Sequence, residues 1–300
     1  MTSATKQPRL LSSGLLCFSL VCGKRNKQGW RDNLLSGFLC PLSGEKVEFR
    51  FCQYDCQSRC MELPVLLSLM SSREVVPGVY SVTEILKPPR IVNYNRQVNH
   101  YSSPFDLMFM QLGTAFHSIV EGQRGQCPNH LFERQLYFES PIDLGERTIL
   151  LRGTPDQYDE NTHTLTDYKT SGYFAIKMLM GGKWDDSDYK AQVNLYRRHR
   201  FPDCKKMQLV MLVKDFSRKL KHEGIPPLVT ITVPFVPDDE LDRETKIRLF
   251  DILDGEDDWT KSRDCMDKER WKHWKTGEMV RCEDYCLVAP ECPQFQGEKK

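Results

Sequence analysis

The chain lacks three features: an apolar run as long as a membrane span, a strong net charge and an internal repeat. The first absence argues against a membrane-spanning helix, which needs about 20 apolar residues. A formal net charge of +1 gives no overall attraction to nucleic acid, so any such surface must be local. What remains is an ordinary globular composition over 300 residues, enough for one large domain and a small one.

The sequence also lacks a clear secretory signal. The apolar stretch Gly14–Cys22 (GLLCFSLVC) is short, and no small-residue cleavage site of the A-x-A kind is present. Lys24 and Arg25 follow it directly. We therefore expect an intracellular, cytoplasmic protein with no membrane partner.

The twelve cysteines include no CxxC pair, the spacing typical of zinc ribbons. In a reducing compartment, clustered cysteines are more often metal ligands than disulfides. Cys127, Cys204 and Cys265 stand alone and are expected to be ordinary residues. The others form two groups, which are Cys17, Cys22, Cys40, Cys52, Cys56 and Cys60 near the start and Cys282, Cys286 and Cys292 near the end.

The first group marks residues 1–62 as a cysteine-rich segment, and residues 63–300 are expected to form the main domain. A segment of this size buries little core, so a metal would help to hold it together. Cys52, Cys56 and Cys60 recur at four-residue spacing, which would place them on one helix face. Together with Cys40 they are a candidate structural Zn²⁺ site, because four thiolates suit that ion.

The apolar periodicity of the rest predicts a mixed central sheet flanked by helices, in α/β or α+β style. Helices are expected over 105–121, 186–199 and 238–253, with a short helical piece near 83–86 in an otherwise irregular segment 76–104. Strands are expected over 131–138, 148–152, 162–168, 208–213 and 229–235. The apolar stripe expected to face the core in the first helix is Met108, Leu112, Ala115, Phe116 and Ile119.

Two carboxylates and a lysine lie around the predicted turn in GTPDQYDENTHTLTDYKTS, residues 153–171. Side chains alternate along a strand, so Asp167 and Lys169 share one face. Strand pairing would bring Asp156 into the same neighbourhood. Paired carboxylates can hold Mg²⁺ or Mn²⁺, and a lysine beside them can stabilise developing negative charge. Taken alone, the Asp-x-Lys tripeptide is more typical of a solvated strand end.

Two predicted helices carry polar pairs at four-residue spacing, which places each pair on one face. His117 and Glu121 form the first pair; imidazole is a good metal ligand, and a carboxylate can bind metal or orient the ring. Gln192 and Tyr196 form the second pair and could contact phosphate or base. The alternatives are a core-edge histidine and a half-buried amphipathic helix.

These motifs follow one order along the chain, which is Gly113…His117-x-x-x-Glu121, Gly153…Asp156, Asp167-x-Lys169 and Gln192-x-x-x-Tyr196. In this order they resemble the PD-(D/E)XK nuclease superfamily, specifically its RecB-type branch. That branch includes helicase-linked nucleases, iron–sulfur CRISPR-adaptation nucleases and many phage exonucleases. No single motif is specific, but the ordered set spans roughly residues 80–295.

The resemblance implies a restriction-endonuclease-like fold with the active site at one edge of the mixed sheet. It implies that His117, Asp156, Asp167 and the backbone carbonyl of Tyr168 bind Mg²⁺ or Mn²⁺. Asp156, Asp167 and Lys169 would be the catalytic residues. The reaction would be metal-assisted hydrolysis of phosphodiester bonds.

The resemblance also implies partners. Gln192 and Tyr196 would place the DNA strand, with Glu121 and Glu133 as further supporting candidates. The substrate would be single-stranded DNA or duplex ends, and a recombination or helicase protein could act with the nuclease. In a prokaryote, such a protein would work at the nucleoid or in a phage-infected cell.

The closing cysteines resemble those of iron–sulfur members of this branch, in which three C-terminal cysteines and one N-terminal cysteine hold a 4Fe-4S cluster. Two departures stand out. Cys282 and Cys286 are separated by three residues rather than two, and Leu86–Arg90, where the N-terminal cysteine usually lies, contains none. The fourth ligand could be Cys60 or another N-terminal cysteine. With Cys292 the set could hold 4Fe-4S or Zn²⁺.

Three functions are therefore open. The first is an active metal-dependent nuclease, in particular an exonuclease acting in DNA replication, recombination, repair or defence. The second is a catalytically silent nucleic-acid-binding protein with the same fold. The third is a scaffold held together by metals, which would leave the ordered motifs unexplained.

Overall fold

The computed structural model describes residues 31–32, 35–70, 74–127, 129–181, 187–273 and 275–298. The apolar stretch at 14–22, together with Cys17 and Cys22, lies outside these ranges. Within them, no helix combines the length and the apolar character needed to cross a membrane.

The described strands are short, and most contribute to one of three mixed sheets. In chain order the strands are β1 (Arg31–Asp32), β2 (Leu35–Leu39), β3 (Lys46–Glu48), β4 (Glu74–Val75), β5 (Val79–Ser81), β6 (His100–Ser102), β7 (His130–Phe132), β8 (Phe138–Asp143), β9 (Thr148–Gly153), β10 (Gln157–Asp159), β11 (Thr164–Ser171), β12 (Lys206–Val213) and β13 (Leu228–Val233).

The described α-helices vary widely in length. In chain order they are α1 (Leu63–Leu69), α2 (Val82–Ile85), α3 (Pro89–Gln97), α4 (Pro104–Glu121), α5 (Glu133–Leu136), α6 (Tyr173–Met180), α7 (Ser187–Arg200), α8 (Arg218–His222), α9 (Asp238–Leu253) and α10 (Pro293–Glu298). Single π-turns occupy Phe51–Asp55 and Arg281–Tyr285, and a 3₁₀ turn occupies Trp259–Lys261.

The central sheet has the strand order β13-β12-β11-β10-β7. Only β11 and β12 run parallel in it, joined by a crossover that contains α6 and α7, and the other pairs are antiparallel. Along β12, Met207, Leu209, Met211 and Val213 are buried at every second position, the pattern of a strand with one face in the core. The strand β11, which carries the Asp-x-Lys motif, is therefore held between two neighbours.

A second sheet, β5-β9-β8, contributes to the same hydrophobic core as the central sheet. The mixed sheets and flanking helices confirm the predicted α+β class. A smaller apolar cluster forms separately around β2, α1 and Leu107 of α4. Leu66 and Leu69 of this cluster lie beyond residue 62, the predicted boundary of the cysteine-rich segment, and that boundary stays a prediction.

Two sequence-based expectations were wrong. The segment 76–104 is not irregular but contains β5, α2, α3 and β6. A capping box between Ser81 and Glu84 starts α2, and Pro89 occupies the first position of α3, where its missing N–H costs nothing. The predicted strand 131–138 is interrupted by α5, and the Phe132 N–H donates to the Gln135 side chain at the start of this helix.

The apolar stripe of α4 does not face the core. Met108, Leu112 and Ile119 are exposed, whereas Pro104 and Leu107 are the buried residues of the helix. The helix packs instead against α1 and against β11. A Cβ added at Gly113 would lie 3.5 Å from the Thr170 hydroxyl, so the helix passes close to β11 there.

The basic end of α7 serves the fold. Arg197 pairs with Asp238 at the start of α9, and the Arg198 guanidinium lies 2.9 Å from a carboxylate oxygen of Asp242. Asn194 is fully buried; it donates to the Pro234 carbonyl and accepts from the Val236 N–H. Carboxylates on α9 therefore already pair with both arginines.

Gly153, at the end of β9, fixes how closely α7 approaches the carboxylate loop. A Cβ at this position would lie 2.6 Å from the Phe138 ring and 2.9 Å from the Tyr196 ring. Both rings are buried and cannot move away freely. We expect Gly153→Ala to lower the free energy of unfolding by about 1–3 kcal/mol through overpacking.

Urea unfolding followed by circular dichroism measures this difference. Gly125→Ala is the matched control, because a Cβ there meets nothing within 4 Å. Equal stability of the two variants would contradict the packing account.

Candidate active site

The polar residues singled out in the sequence come from five separate elements. His117 lies on the last turns of α4, and Glu133 is the first residue of α5. Asp156 ends the loop between β9 and β10, whereas Asp167 lies in the middle of β11. Gln192 lies on α7 and is one of that helix's buried residues. The fold therefore gathers residues separated by more than 70 positions in the chain.

His117, Glu133 and Asp156 form a candidate metal centre. One potential ligand atom from each of the three side chains lies within 4.8 Å of the other two, and no other such group of three occurs among the described residues. The His117 Nδ1 is 3.0 Å from a Glu133 oxygen and 3.2 Å from a Asp156 oxygen. Hydrogen bonds that His117 donates to Asp156 and, to a lesser degree, to Glu133 raise the pKa of His117 to about 10, against the opposing effect of burial. The two carboxylates thus favour positive charge between them, whether a proton or a metal ion supplies it.

Backbone contacts hold these carboxylates in place. The Tyr168 N–H of β11 donates to the Asp156 Oδ2 at 2.6 Å. The Glu133 N–H donates to the Asp156 carbonyl at 3.2 Å, which ties the start of α5 to the loop. Because Asp156 is positioned through main-chain groups of a central strand, its place depends on the fold rather than on a mobile side chain.

Asp167 and Lys169 form a buried ion pair next to this centre. The Lys169 Nζ lies 2.6 Å from the Asp167 Oδ2, and Asp167 is only 1 % exposed. Burial raises the pKa of Asp167, an effect that the Lys169 charge opposes. Burial alone would lower the pKa of Lys169, but the charges of Asp167 and Asp156 outweigh it and raise that pKa. Lys169 therefore stays protonated and supplies a fixed positive charge.

Gln192 and Tyr196 lie behind Asp167. The Gln192 Nε2 donates to the Asp167 Oδ1 at 3.2 Å and to the Tyr196 hydroxyl at 3.0 Å. Gln192 is 8 % exposed and Tyr196 is 4 % exposed. In this arrangement the pair orients the carboxylate, and the predicted contact with DNA stays a prediction.

Other predicted site residues lie differently. Asp167 is not one of the three groups that share the candidate metal centre, because its oxygens face Lys169 and Gln192. Glu121 does not hold the His117 ring and instead lies 3.2 Å from Arg124. The Tyr168 carbonyl as a metal ligand stays a prediction.

Glu133 was ranked only as a supporting residue in the sequence analysis, yet it contacts His117 directly. The contact was not predicted because a continuous strand over 131–138 gives no reason to place the Glu133 carboxylate near His117. The sequence signal that could have found it is Gln135, whose side chain accepts from the Phe132 N–H and starts the short helix α5 at Glu133.

The C-terminal cysteines lie apart from this centre and gather with one further cysteine. Cys282, Cys286 and Cys292 line the same cavity as Cys265. Cys60, the predicted fourth member of that set, instead lies near Cys40, Cys52 and Cys56, whose charges act on one another's pKa values. The assignment of Cys60 to the C-terminal set therefore does not fit this arrangement, whereas the expectation that Cys265 is an ordinary residue stays a prediction.

No protein-family model matches the chain, and no curated protein matches it either. Solved structures show distant likenesses. The crystal structure of SSO0001 is 17 % identical with a TM-score of 0.48, over 76 % of this chain and 92 % of that one. An alkaline exonuclease (LHK-Exo) from Laribacter hongkongensis is 13 % identical with a TM-score of 0.33, over 59 % of this chain and 86 % of that one. Its complex with dAMP gives 14 % identity and the same TM-score of 0.33. Likenesses this distant assign no activity to the chain.

Proposed function

We propose that the chain is a metal-dependent nuclease that hydrolyses phosphodiester bonds in DNA. One observation carries the proposal: a ligand set of His117, Glu133 and Asp156 lies beside the buried ion pair of Asp167 and Lys169. A metal site and a fixed cation on the same strand can together stabilise the negative charge that develops in phosphodiester hydrolysis.

The residues present fit a Mg²⁺ or Mn²⁺ ion. Two carboxylates offer the oxygen ligands that these hard cations prefer, and one imidazole nitrogen shifts the balance towards Mn²⁺. When bound, the ion would lower the pKa of a coordinated water and offset charge on the leaving oxygen. His117, Glu133 and Asp156 would hold it, with their spacing set by α4, α5 and β11.

The other residues of the site would act on the phosphate and on each other. Lys169 is held by Asp167 at 2.6 Å and stays charged, so its ammonium could stabilise the negative charge that develops on the phosphoryl oxygens. Asp167 is fixed from the other side by Gln192. Gln192 and Tyr196 are in this account positioning residues, because they reach the reacting atoms only through Asp167.

The proposed substrate is single-stranded DNA or duplex ends. The protein would act on them as an exonuclease in replication, recombination, repair or defence. The exposed apolar residues of α4, which carries His117, give a surface beside the site that DNA could contact. A helicase or recombination protein would be a natural partner for such an enzyme. The cysteine groups belong to this proposal as metal centres that stabilise the chain around the site.

Replacing Lys169 tests the chemistry. We expect Lys169→Met, which keeps the length of the side chain, to reduce Mn²⁺-dependent cleavage of end-labelled DNA by about 100-fold or more, the scale of losing one charge-stabilising group. Binding of Mn²⁺ should change far less, since Lys169 is not in the ligand set. Lys177→Met is the matched control, because Lys177 lies exposed on α6.

Cleavage by Lys169→Met at the rate of the control would refute the role of the lysine. If the wild-type protein binds DNA but cleaves no DNA or RNA form with either metal, the alternative stands instead: a catalytically silent nucleic-acid-binding protein with the nuclease fold.

Replacing Gln192 separates positioning from DNA contact. Gln192→Leu leaves the Asp167 Oδ1 without its donor, so we expect kcat to fall by about 10-fold or more while KM for DNA stays within about twofold. Steady-state kinetics with Mn²⁺ measure both constants. A raised KM with an unchanged kcat would show that Gln192 binds DNA directly. Gln208→Leu provides the control, since Gln208 donates to Thr166 on the same sheet but not to Asp167.

A further inference from the structure

The helix α4 exposes an apolar stripe in its first half. Four large apolar side chains at the i, i+3, i+4 and i+7 positions of one face are each between 41 % and 61 % exposed. They are Phe105, Met108, Phe109 and Leu112, and we call them the α4 stripe. Single exposed hydrophobic residues are normal on a monomer, but several large ones side by side mark an interaction surface.

The helix cannot turn this stripe inward, because other residues already anchor it. Leu107 is buried in the small apolar cluster around β2 and α1, and the Gln111 side chain donates to the Ser68 carbonyl of α1 at 2.8 Å. On another side of the helix, Gly113 lies close to Thr170 of β11. The α4 stripe therefore stays on the surface and is open to an occupant.

The chemistry of α4 favours a stretch of polypeptide as that occupant. The helix contains no Lys or Arg, and its acidic residues are Asp106 and Glu121. A helix that lies on a membrane surface typically carries Lys and Arg beside its apolar face, which α4 does not. The α4 stripe therefore fits an apolar segment that has basic rather than acidic residues next to it.

One stretch of this chain has that composition. Residues 14–22 (GLLCFSLVC), which lie outside the described ranges, contain no charged residue, and Lys24 and Arg25 follow them. Asp106 is exposed next to Phe105 in the first turn of α4. The two cations would therefore complement the carboxylate that borders the α4 stripe.

The path of the chain brings this stretch within reach of α4. The strand β2 begins at Leu35, and Leu35 belongs to the same buried cluster as Leu107 of α4. Cys22 and Leu35 are 13 positions apart, a length of chain that can span up to about 45 Å. The 18 residues of α4 are only about 27 Å long. A segment of the same chain also meets the stripe at an effective concentration of about millimolar, an advantage that a second copy lacks.

We propose that residues 14–22 pack on the α4 stripe of their own chain and cover it. The apolar stretch, which is no clear secretory signal, thereby has a place in the folded protein. The last turns of α4, which carry His117, stay uncovered. The inference does not depend on whether the candidate active site cleaves DNA.

Photo-crosslinking in the full chain tests the proposal. Phe109 is replaced by the photoreactive amino acid p-benzoylphenylalanine, and the linked peptides are identified by mass spectrometry. We expect links to residues 14–22. Phe250, an exposed ring on α9, is the control position and should give no such links. In an equal mixture of ¹⁴N- and ¹⁵N-labelled protein, the links should join peptides of one isotope only, because the segment belongs to the same chain.

Two substitutions inside the segment test whether its apolar side chains make the contact. Leu16→Asp combined with Phe18→Asp should reduce the links from Phe109 by about tenfold or more, because two large side chains lose their burial. The same variant should raise the fluorescence of a hydrophobic dye that binds the exposed stripe. Ser12→Asp combined with Ser13→Asp adds the same charge just before the segment and should change neither quantity.

Three results would overturn the proposal. Links between peptides of different isotopes would show that a second copy covers the stripe. Links from Phe109 that miss residues 14–22, or no links at all, would show that the segment lies elsewhere. Undiminished links in the variant with Leu16→Asp and Phe18→Asp would rule out an apolar contact. Since DNA cleavage is not measured, these outcomes stand separately from the proposed nuclease function.

Discussion

The carboxylate of Asp167 is the constraint on which the candidate site depends. It is buried in the middle of β11, where an unpaired charge would cost several kcal/mol. Lys169 on the same strand and Gln192 on α7 compensate for this burial. The contacts that compensate the buried Asp167 carboxylate therefore fix the position of Lys169 and link α7 to the sheet. The neighbouring N–H on the strand, that of Tyr168, donates to Asp156.

The candidate metal centre follows from this arrangement. Once Asp156 is held by β11, its carbonyl accepts from the Glu133 N–H, and its side chain meets His117 from α4. Like charges at this distance repel, so Asp156 and Glu133 together require a positive partner. The protonated imidazole of His117 provides one in the absence of metal, and a divalent ion would provide a stronger one.

The sequence predicted the parts of the site that local patterns determine. Alternation along a strand placed Asp167 and Lys169 on one face, and helical periodicity located α4, α7 and α9 to within a few residues. It could not predict the contact of Glu133 with His117, because the short helix α5 interrupts what reads as one strand over 131–138. The prediction that the apolar stripe of α4 faces the core was wrong, because apolar residues at helical spacing give the same sequence pattern whether they are buried or exposed. The sequence pattern did not group Cys265 with Cys282, Cys286 and Cys292, because Cys265 stands alone in the sequence and only folding brings it to their cavity.

The central claim is that a divalent ion binds between His117, Glu133 and Asp156. The most direct measurement is a crystal structure of the protein in Mn²⁺, with the ion located by anomalous scattering at the manganese edge. The account predicts one peak in contact with all three side chains, and its loss in Glu133→Gln but not in Glu160→Gln, whose carboxylate is exposed. A manganese peak elsewhere in a protein that cleaves DNA would contradict it.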